Sequence, residues 1–502
     1  MDLVVSILYA LIFLLTIISI NLFRRSPHKN LPPGPRPWPL LGNLPAIFTS
    51  KTPAHLTFAN LARTHGGLML LWFGHKPVVF VSNKAAATEV LKTHDRALSG
   101  RHIPASFHFP EKPQTSLVWS DCDAYWKQVR RVLRTEVFSP TMLRAQEGVR
   151  EEKVRELVEF VRSKEGEAVT IRPVVFGTIL NVLGNAVFSR DLYDLGGRGD
   201  VVGLELLIRE LLVIGATPDL ADYYKILDGL KKEALVRLDK VDKLWEPIVE
   251  ERKRERKLND NNVAECMDML DVLLDNNYND AEINNIFLNM IVDACNVQET
   301  FGPGSESSSA TAEWVMSELI KNPTVLARLR QELDNEFGHS KVTGSHRLAK
   351  LPYLSAVIKE AMRLHPAIPF MLPHKAVETC QVLGYTIPKG FQVQLNAYAI
   401  GRDPEAWPEP NTFRPERFLE SDIDYQGNHF ELVPFGAGRR ICPGLPLAMK
   451  NTPLIVSTLV HEFDWSLSDG TPPEKLEMNE QLSIALTKDP PLCLIPKVRV
   501  IS

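Results

Sequence analysis

The sequence has few cysteines and no run of positive charge. Its six cysteines show no Cys-x-x-Cys spacing, so they give neither a disulfide framework nor a zinc pattern, and they indicate a reducing compartment. Lysine and arginine total 57 against 61 acidic residues, a net charge of −4. Since no stretch concentrates enough basic residues to follow a phosphate backbone, we expect no nucleic acid partner.

Internal repeats, low-complexity blocks and long polar linkers are also absent after residue 45. Hydrophobic residues make up 44% of the 502 positions and charged residues 24%, which is ordinary for a chain that buries a core. No change in composition divides the rest of the chain. We therefore predict one large domain over residues 46–502.

The longest uncharged apolar run lies at the N-terminus, from Leu3 to Phe23. As a helix these 21 residues span about the 30 Å of a bilayer's hydrocarbon core. Arg24, Arg25 and Lys29 follow the run, so the positive-inside rule places the remaining chain in the cytoplasm. A cleaved signal peptide, the alternative, carries its basic residues before the apolar stretch. We predict a transmembrane anchor over residues 1–23.

A basic, proline-rich segment follows at residues 24–45. It contains Leu31-Pro32-Pro33-Gly34-Pro35-Arg36-Pro37-Trp38-Pro39, whose prolines fix φ and favour extended backbone in the residues before them. The segment is interpreted either as a generic linker or as a hinge that orients the large domain at a membrane.

A glycine-rich loop near the C-terminus holds one cysteine: Phe435-Gly436-Ala437-Gly438-Arg439-Arg440-Ile441-Cys442-Pro443-Gly444. Backbone N–H groups in such a loop stabilise a thiolate, and an arginine fork suits a carboxylate. Gly438 and Gly444 are expected to supply positive φ angles and close backbone approach. The pattern predicts that Cys442 binds haem iron and that Arg440 lies beside a haem carboxylate. A buried structural cysteine is the alternative.

Phe435, Gly438, Arg440, Cys442 and Gly444 match the haem-binding signature of the cytochrome P450 superfamily, which this chain resembles. The resemblance implies a mainly α fold with small β-sheets and one N-terminal transmembrane helix. It also implies haem b with Cys442 as axial thiolate, a ligand that favours O–O cleavage. Electrons would come from NADPH through NADPH-cytochrome P450 reductase. The expected location is the endoplasmic reticulum membrane, with the catalytic domain in the cytosol.

Periodicity agrees with that fold class. Charged faces at three- and four-residue spacing predict helices over Pro140 to Arg162 and Ala234 to Lys257. Short β-like runs occur at Leu68 to Phe73 and Pro77 to Val81.

A Glu-x-x-Arg pair, Glu360 and Arg363, shares one face of a helix predicted over Leu354 to Leu364. Alone, such a pair is an ordinary surface interaction. The Pro-Glu-Arg-Phe sequence that contains Arg417 precedes the cysteine loop, as it does in the family. The resemblance implies that Glu360, Arg363 and Arg417 form a buried network on the proximal side of the haem.

Three further haem contacts are implied by position in the family. Trp126 and Arg130 match its Trp-x-x-x-Arg, and His374 matches its basic residue after a proline-rich turn. Packing or a solvated charge is the ordinary alternative for each.

The oxygen side departs from the family, which has an acidic residue followed by threonine in a long helix. Here the sequence is Pro303-Gly304-Ser305-Glu306-Ser307-Ser308, and Pro303 predicts a kink because it cannot donate to the carbonyl of Glu299. The resemblance gives Glu306 a proton-relay role and Ser307 a hydrogen bond to dioxygen. Serine lacks the methyl group of threonine, so its side-chain rotamer is freer. We therefore expect oxygen consumption to be less tightly coupled to product formation. A serine-rich helix start capped by Glu306 is the alternative.

Relative to similar plant enzymes, Asn289 to Gln298 is an apparent ten-residue insertion. Ten helical residues advance about 15 Å and about 1000°, roughly 80° short of three turns, so one helix cannot keep both ends in register. Either the earlier part rotates and projects, or the extra residues bulge out. An unusual splice product or a gene-model error would also explain the segment.

Shorter phrases such as Leu98-Ser99-Gly100-Arg101 and Glu378-Thr379-Cys380-Gln381-Val382 resemble plant enzymes of benzylisoquinoline alkaloid metabolism. That group includes N-methylcoclaurine 3'-hydroxylases and oxidases that couple phenols. The resemblance implies oxidation of a small-molecule alkaloid with O₂ and NADPH-derived electrons, by phenol coupling or aromatic hydroxylation. The weakened Ser307 relay favours coupling.

Residues expected to face the substrate, by correspondence with the family, are Phe107, Ile368, Phe370, Met371 and Leu486. Apolar residues of this kind are otherwise core. Three other functions stay open: a monooxygenase of another plant metabolite, a peroxide-using haem-thiolate isomerase, and a non-catalytic binding protein at the membrane.

Overall fold

The fold is described from a computed structural model, which covers residues 2–24, 30–50, 52–105, 117–196, 199–200, 231–258, 268–275, 302–483 and 485–500. Within those ranges the α-helices are α1 (Asp2–Arg24), α2 (Leu44–Phe48), α3 (Ala54–His65), α4 (Lys84–Thr88), α5 (Ala124–Val132), α6 (Pro140–Ala145), α7 (Glu147–Ser163), α8 (Ile171–Phe188), α9 (Lys231–Leu258), α10 (Met269–Asp275), α11 (Gly302–Lys321), α12 (Pro323–Phe337), α13 (Ser345–Leu348), α14 (Pro352–Leu364), α15 (Ala397–Ile400) and α16 (Leu445–Glu462).

The strands are short. They are β1 (Leu68–Phe73), β2 (Lys76–Val81), β3 (Gly100–Arg101), β4 (Val169–Thr170), β5 (Tyr193–Asp194), β6 (Gly199–Asp200), β7 (His374–Lys375), β8 (Cys380–Val382), β9 (Tyr385–Ile387), β10 (Gln392–Leu395), β11 (Phe463–Leu467), β12 (Glu480–Leu482), β13 (Leu486–Lys488) and β14 (Cys493–Val498). The prediction of a mainly helical fold with small sheets is confirmed.

Most of the predicted elements form with small changes. The strands β1 and β2 pair antiparallel, with Leu68 opposite Val81. The stretch predicted as one helix over Pro140 to Arg162 is two helices, α6 and α7, because the chain turns at Gln146. The buried Arg150 of α7 donates to the Leu143 carbonyl at 2.6 Å, so it satisfies a carbonyl in α6 beside the turn.

The largest sheet has five strands in the order β1-β2-β10-β7-β3. Its short edge strand β3 pairs antiparallel with β7, which places Arg101 opposite His374. A separate hairpin, β12–β13, pairs Leu482 with Leu486. The β3–β7 pairing joins distant parts of the chain, and β13 packs against α11.

The core is helical and centres on α8, α11 and α16. Helix α8 is long and apolar enough to cross a membrane by length and composition, yet it is mostly buried inside the protein, which identifies it as a core helix. Helix α1 carries an apolar stretch, Val5–Ile17, whose side chains are largely exposed, for example Tyr9 and Phe13 at 70% and 68%. Whether α1 spans a membrane stays a prediction, as do the boundaries at residues 23 and 45.

Candidate active site

A cavity lies between α11 and the start of α16. It encloses about 1490 Å³, counted with the part open to solvent. Its lining joins the cysteine loop, α5, α11 and the segment that leads into β7. Cys442 is the one cysteine among the described residues that lines it. The residues gathered here lie more than 300 positions apart in the sequence, from Leu91 to Thr452.

The backbone of the cysteine loop requires two of its glycines. Gly436 and Gly438 have φ of +70° and +63°, in the region that favours glycine. A Cβ at Gly438 would also lie 2.5 Å from an oxygen of Asp95, whose carboxylate accepts from the Arg439 N–H at 3.0 Å. The expectation of a positive φ at Gly444 is wrong: its φ is −79°, since it leads into α16.

The Cys442 sulfur lies where that backbone folds back on itself. The Cys442 N–H donates to the Phe435 carbonyl at 2.9 Å, which closes the loop. A Cβ at Gly444 would come 3.8 Å from the sulfur, an ordinary contact distance. The loop therefore fixes the position of the sulfur in the cavity through its own backbone.

Arginines gather at one end of the cavity. Arg440 donates to the carbonyls of Ser99 and Ser120 at 2.9 and 2.5 Å, and its guanidinium carbon lies 4.8 Å from the Trp126 ring centroid. Arg130 donates to the Ile441 carbonyl. Trp126 donates from its indole nitrogen to the Leu117 carbonyl at 2.7 Å. These contacts lock both guanidinium groups in place at the wall.

His374 and Arg101 complete that end of the cavity. His374 is buried and contacts the Leu98 carbonyl through Nδ1 at 2.8 Å. Burial lowers its pKa well below the ordinary value, and the charges of Arg101 and Arg440 lower it further. The ring is therefore neutral and donates through Nδ1, which leaves Nε2 as an acceptor. As a neutral group it adds no positive charge there.

Arg101 is a cavity residue that the family's haem-contact positions did not predict. It is buried, lines the cavity and donates to the Leu372 carbonyl at 3.0 Å. In the sequence it ends the phrase Leu98-Ser99-Gly100-Arg101, which resembles plant enzymes. No local pattern marks it as a cavity residue, because the pairing of β3 with β7, a long-range contact between residues 101 and 374, brings it there.

The cavity has the chemistry that a haem requires. A cysteine sulfur stands at one wall, three guanidinium groups from Arg101, Arg130 and Arg440 suit two propionates, and most of the remaining lining is apolar. These residues therefore fit the group.

The α11 wall is lined by Gly304, Ser307, Ser308 and Thr311. Thr311 donates its hydroxyl to the Ser307 carbonyl at 2.8 Å, one helical turn back. Pro303 lies in the first described turn of α11, and Glu299 lies outside the described residues, so the predicted kink stays a prediction. The apparent insertion at Asn289 to Gln298 also lies outside them.

Glu306 is held away from that wall. Arg172 of α8 donates to its carboxylate at 2.7 Å, and the Arg172 Nε lies 3.5 Å from an oxygen of the fully buried Glu313. Among the described residues Glu306 does not line the cavity. A proton relay through Glu306, as the sequence suggested, would require this carboxylate to leave Arg172, and the relay stays a prediction.

The predicted substrate residues separate into three groups. Ile368 and Met371 line the cavity. Phe370 instead packs against Phe58, with ring centroids 5.3 Å apart. Leu486 is fully buried in a core cluster with Tyr398. Neither Phe370 nor Leu486 is part of the described lining, and Phe107 lies outside the described residues.

Glu360, Arg363 and Arg417 are brought together as a buried cluster. Arg363 donates to both carboxylate oxygens of Glu360 at 2.7 and 2.8 Å, and Arg417 donates to one of them at 2.9 Å. Arg363 also donates to the carbonyls of Gly401 and Pro410, both at 2.6 Å. The cluster thus ties α14 to the segment before the cysteine loop.

A mainly helical fold with a cysteine loop and cationic groups around one cavity defines a haem-thiolate oxidoreductase. The chain belongs to the cytochrome P450 family, whose model, described as Cytochrome P450, matches residues 32–495. The family implies a haem iron with a cysteine thiolate ligand.

Three plant enzymes are similar to this chain along almost its whole length. The chain is 54% identical to corytuberine synthase from Coptis japonica, over 98% of this chain and 99% of that protein. It is 44% identical to berbamunine synthase from Berberis stolonifera, over 99% and 98%. It is also 44% identical to (S)-N-methylcoclaurine 3'-hydroxylase isozyme 2 from Eschscholzia californica, over 95% and 96%. The resemblance found in the sequence is confirmed, and the chain is an enzyme related to benzylisoquinoline alkaloid P450s.

Proposed function

We propose that the protein oxidises a benzylisoquinoline alkaloid with O₂ and NADPH-derived electrons, and that phenol coupling is its main reaction. The observation that carries this is the cavity in which Cys442 meets an arginine cluster and an apolar wall. The 54% identity to corytuberine synthase supports the substrate class. NADPH-cytochrome P450 reductase is the proposed electron donor.

The chain's own residues position the reactants. Cys442 would hold the haem iron, and Arg101, Arg130 and Arg440 would hold the propionates, since a planar guanidinium suits a carboxylate. When bound, the haem supplies the oxidising centre. Ile368 and Met371 offer an apolar surface to the aromatic rings of the alkaloid and keep water from it.

The Ser307 hydroxyl of α11 bears on the choice between hydroxylation and phenol coupling. Hydroxylation places one oxygen atom of O₂ in the product. Coupling removes two hydrogen atoms from phenol groups, while both atoms of O₂ leave as water with two electrons from NADPH. Ser307 lies at the cavity wall and carries a hydroxyl without a methyl group to fix its rotamer. A less strictly held proton donor suits the reaction that retains no oxygen in the product.

The proposed location is the endoplasmic reticulum membrane, with α1 as a single span and the catalytic domain in the cytosol. The exposed apolar side chains of Val5–Ile17 support this, because a solvent-facing helix of that composition needs a lipid environment. Removal of residues 2–24 should move the protein out of the alkali-washed membrane fraction, as an immunoblot would measure. Retention there would contradict a single-span anchor.

The test uses microsomes from cells that express the full chain together with the reductase. A reduced carbon monoxide difference spectrum typical of a haem thiolate comes first, followed by a panel of phenolic benzylisoquinolines with NADPH. We expect a coupled product that lacks the label when ¹⁸O₂ is supplied. Label in the product would show hydroxylation instead. Conversion of an organic hydroperoxide, supplied as the sole substrate, into an isomeric product without NADPH would show an isomerase.

A further inference from the structure

The end of α14 holds a buried histidine between two carboxylates. His365 contacts Glu318 through Nε2 at 2.8 Å and Glu480 through Nδ1 at 3.1 Å. Its ring stacks on the indole of Trp314, with centroids 3.9 Å apart and planes 3° from parallel. A neutral imidazole has one N–H, so only the imidazolium donates to both carboxylates. The histidine therefore forms a charged, stacked junction in the interior.

This junction joins three elements. Trp314 and Glu318 lie one turn apart on α11 and so share a face. Glu480 is the first residue of β12, and its second oxygen contacts Nε2 of His55 in α3 at 2.9 Å. His365 follows α14 directly. Its contacts thus fix the end of α14 against both α11 and the β12–β13 hairpin.

A second set of hydrogen bonds leads from the same junction to the cavity. The Trp314 indole N–H donates to the Leu486 carbonyl at 2.8 Å, and the Leu486 N–H donates to the Ala367 carbonyl at 2.8 Å. Ala367 is two residues after His365 and lines the cavity. The contacts form a closed ring that runs through His365, Trp314, Leu486 and Ala367.

The segment that follows is stiff. Pro366, Pro369 and Pro373 fix φ at three places, and the segment between them supplies the cavity lining through Ala367, Ile368, Met371 and Leu372. Its far end is held where Arg101 donates to the Leu372 carbonyl. Because a stiff segment moves as a unit, a displacement at its near end moves the wall.

We propose that His365 is a positioning residue that sets the place of the cavity wall 367–372 by tying the end of α14 to α11 and to the β12–β13 hairpin. It touches no reacting group. This wall includes Ile368 and Met371, which would face the substrate. The inference rests on the proposed function only in taking this cavity to be the substrate site.

The test compares His365→Phe with wild type, using holoenzyme and two probes that bind haem iron directly. Phenylalanine keeps a ring against Trp314 and removes both ion pairs. Imidazole is small and reports access to the iron, whereas 4-phenylimidazole also contacts the walls. We expect the ratio of the two dissociation constants, from spectral titration, to change about fivefold, while haem content stays full.

His461→Phe is the matched control, since His461 is a buried histidine near the far end of α16 and away from the wall. It should leave the ratio unchanged. An unchanged ratio in haem-replete His365→Phe, or an equal change in His461→Phe, would overturn the proposal. Should His365→Phe fail to bind haem, Glu480→Gln replaces it. The ratio of the two dissociation constants must then change in Glu480→Gln relative to wild type. Since neither probe is an alkaloid, a failed alkaloid assay leaves this result unaffected.

Discussion

The surroundings of Cys442 differ from those of the other described cysteines. Burial raises the pKa of Cys380 to about 11, and the nearby Glu378 adds to the rise, so Cys380 remains a thiol at neutral pH. Cys442 instead lies at the cavity wall in a loop whose backbone folds around it. One cysteine is thus suited to be an anionic ligand and the other is not.

Replacement of Cys442 by alanine should abolish the haem-thiolate carbon monoxide difference spectrum and product formation, because no other described cysteine lines the cavity. Cys380→Ala is the control and should retain both. The measurement is the difference spectrum of microsomes matched for protein by immunoblot. A Cys442→Ala preparation with the wild-type spectrum would overturn the assignment of Cys442 as the haem-iron ligand.

Arg172 supports two carboxylates of α11 at once. Burial raises the pKa of Glu313, while the Leu492 N–H and the charge of Arg172 oppose the rise. Arg172→Leu should therefore destabilise the protein by about 3 kcal/mol at neutral pH, because it leaves a buried carboxylate without its cation. Urea unfolding measures the loss. Arg172→Lys should recover part of it, and a loss equal to that of leucine would show that packing rather than charge is responsible.

The order of motifs along the chain predicted which residues come together. It did not predict all of the hydrogen-bond partners that complete each cluster. Glu360, Arg363 and Arg417 come together, whereas the carbonyls of Gly401 and Pro410 that complete the cluster lie on loops with no sequence signal. Periodicity found α14 and the β1–β2 pair because neighbouring residues decide them.

Side-chain direction in extended segments was harder to predict. Met371 lines the cavity and Phe370 packs in the core against Phe58, although the two are neighbours in the sequence. The pairings of Arg101 with His374 and of Glu318 with His365 and Glu480 are long-range contacts. They depend on how helices and strands pack, and no local pattern encodes them.

The Glu-Arg-Arg cluster gives a sharp test of how α14 is held. Glu360 is fully buried and accepts from both arginines and from the Arg414 N–H at 2.8 Å. Glu360→Gln should destabilise the protein by about 3–5 kcal/mol and lower its haem content, because it leaves two buried guanidinium groups without a carboxylate.

Glu416→Gln is the matched control for this experiment. Glu416 lies next to Arg417 but is 41% exposed and pairs with Arg328, which is 50% exposed. Its loss should cost about 1 kcal/mol or less. Urea unfolding and haem content of both variants, measured side by side, provide the comparison. Equal effects would mean that burial of the cluster does not matter.

Across the chain, the cavity is assembled from segments as far apart as β3 and α16, so it exists only when the fold is complete. A ligand that binds only the folded protein stabilises it by mass action. Stability and haem binding are thus linked, and stability should be compared between variants with the same haem content.

The buried histidine junction makes overall stability depend on pH. Burial alone would lower the pKa of His365, but hydrogen bonds with Glu318 and Glu480 raise it. A histidine with a raised pKa in the folded state contributes fully below its unfolded value, about 6.5, and loses the contribution as pH rises through the folded value. Burial would likewise raise the pKa of Glu480, yet hydrogen bonds from His365 and His55 lower it to about 2. Its contribution is fully present above its ordinary pKa of 4.5 and is lost as pH falls toward the folded value.

The free energy of unfolding of wild type relative to His365→Phe should therefore be largest below about pH 6.5 and should shrink as pH rises through the folded pKa of His365. Glu318 and Glu480 face the ring directly, and His55, Tyr398 and Arg402 lie behind Glu480. His461→Phe should show the opposite trend, because burial lowers the pKa of His461, so wild type gains stability relative to this variant as pH rises. Urea unfolding at several pH values gives both slopes. Equal slopes would mean that His365 carries no charge in the folded protein, and its ring would then have one N–H to donate rather than two.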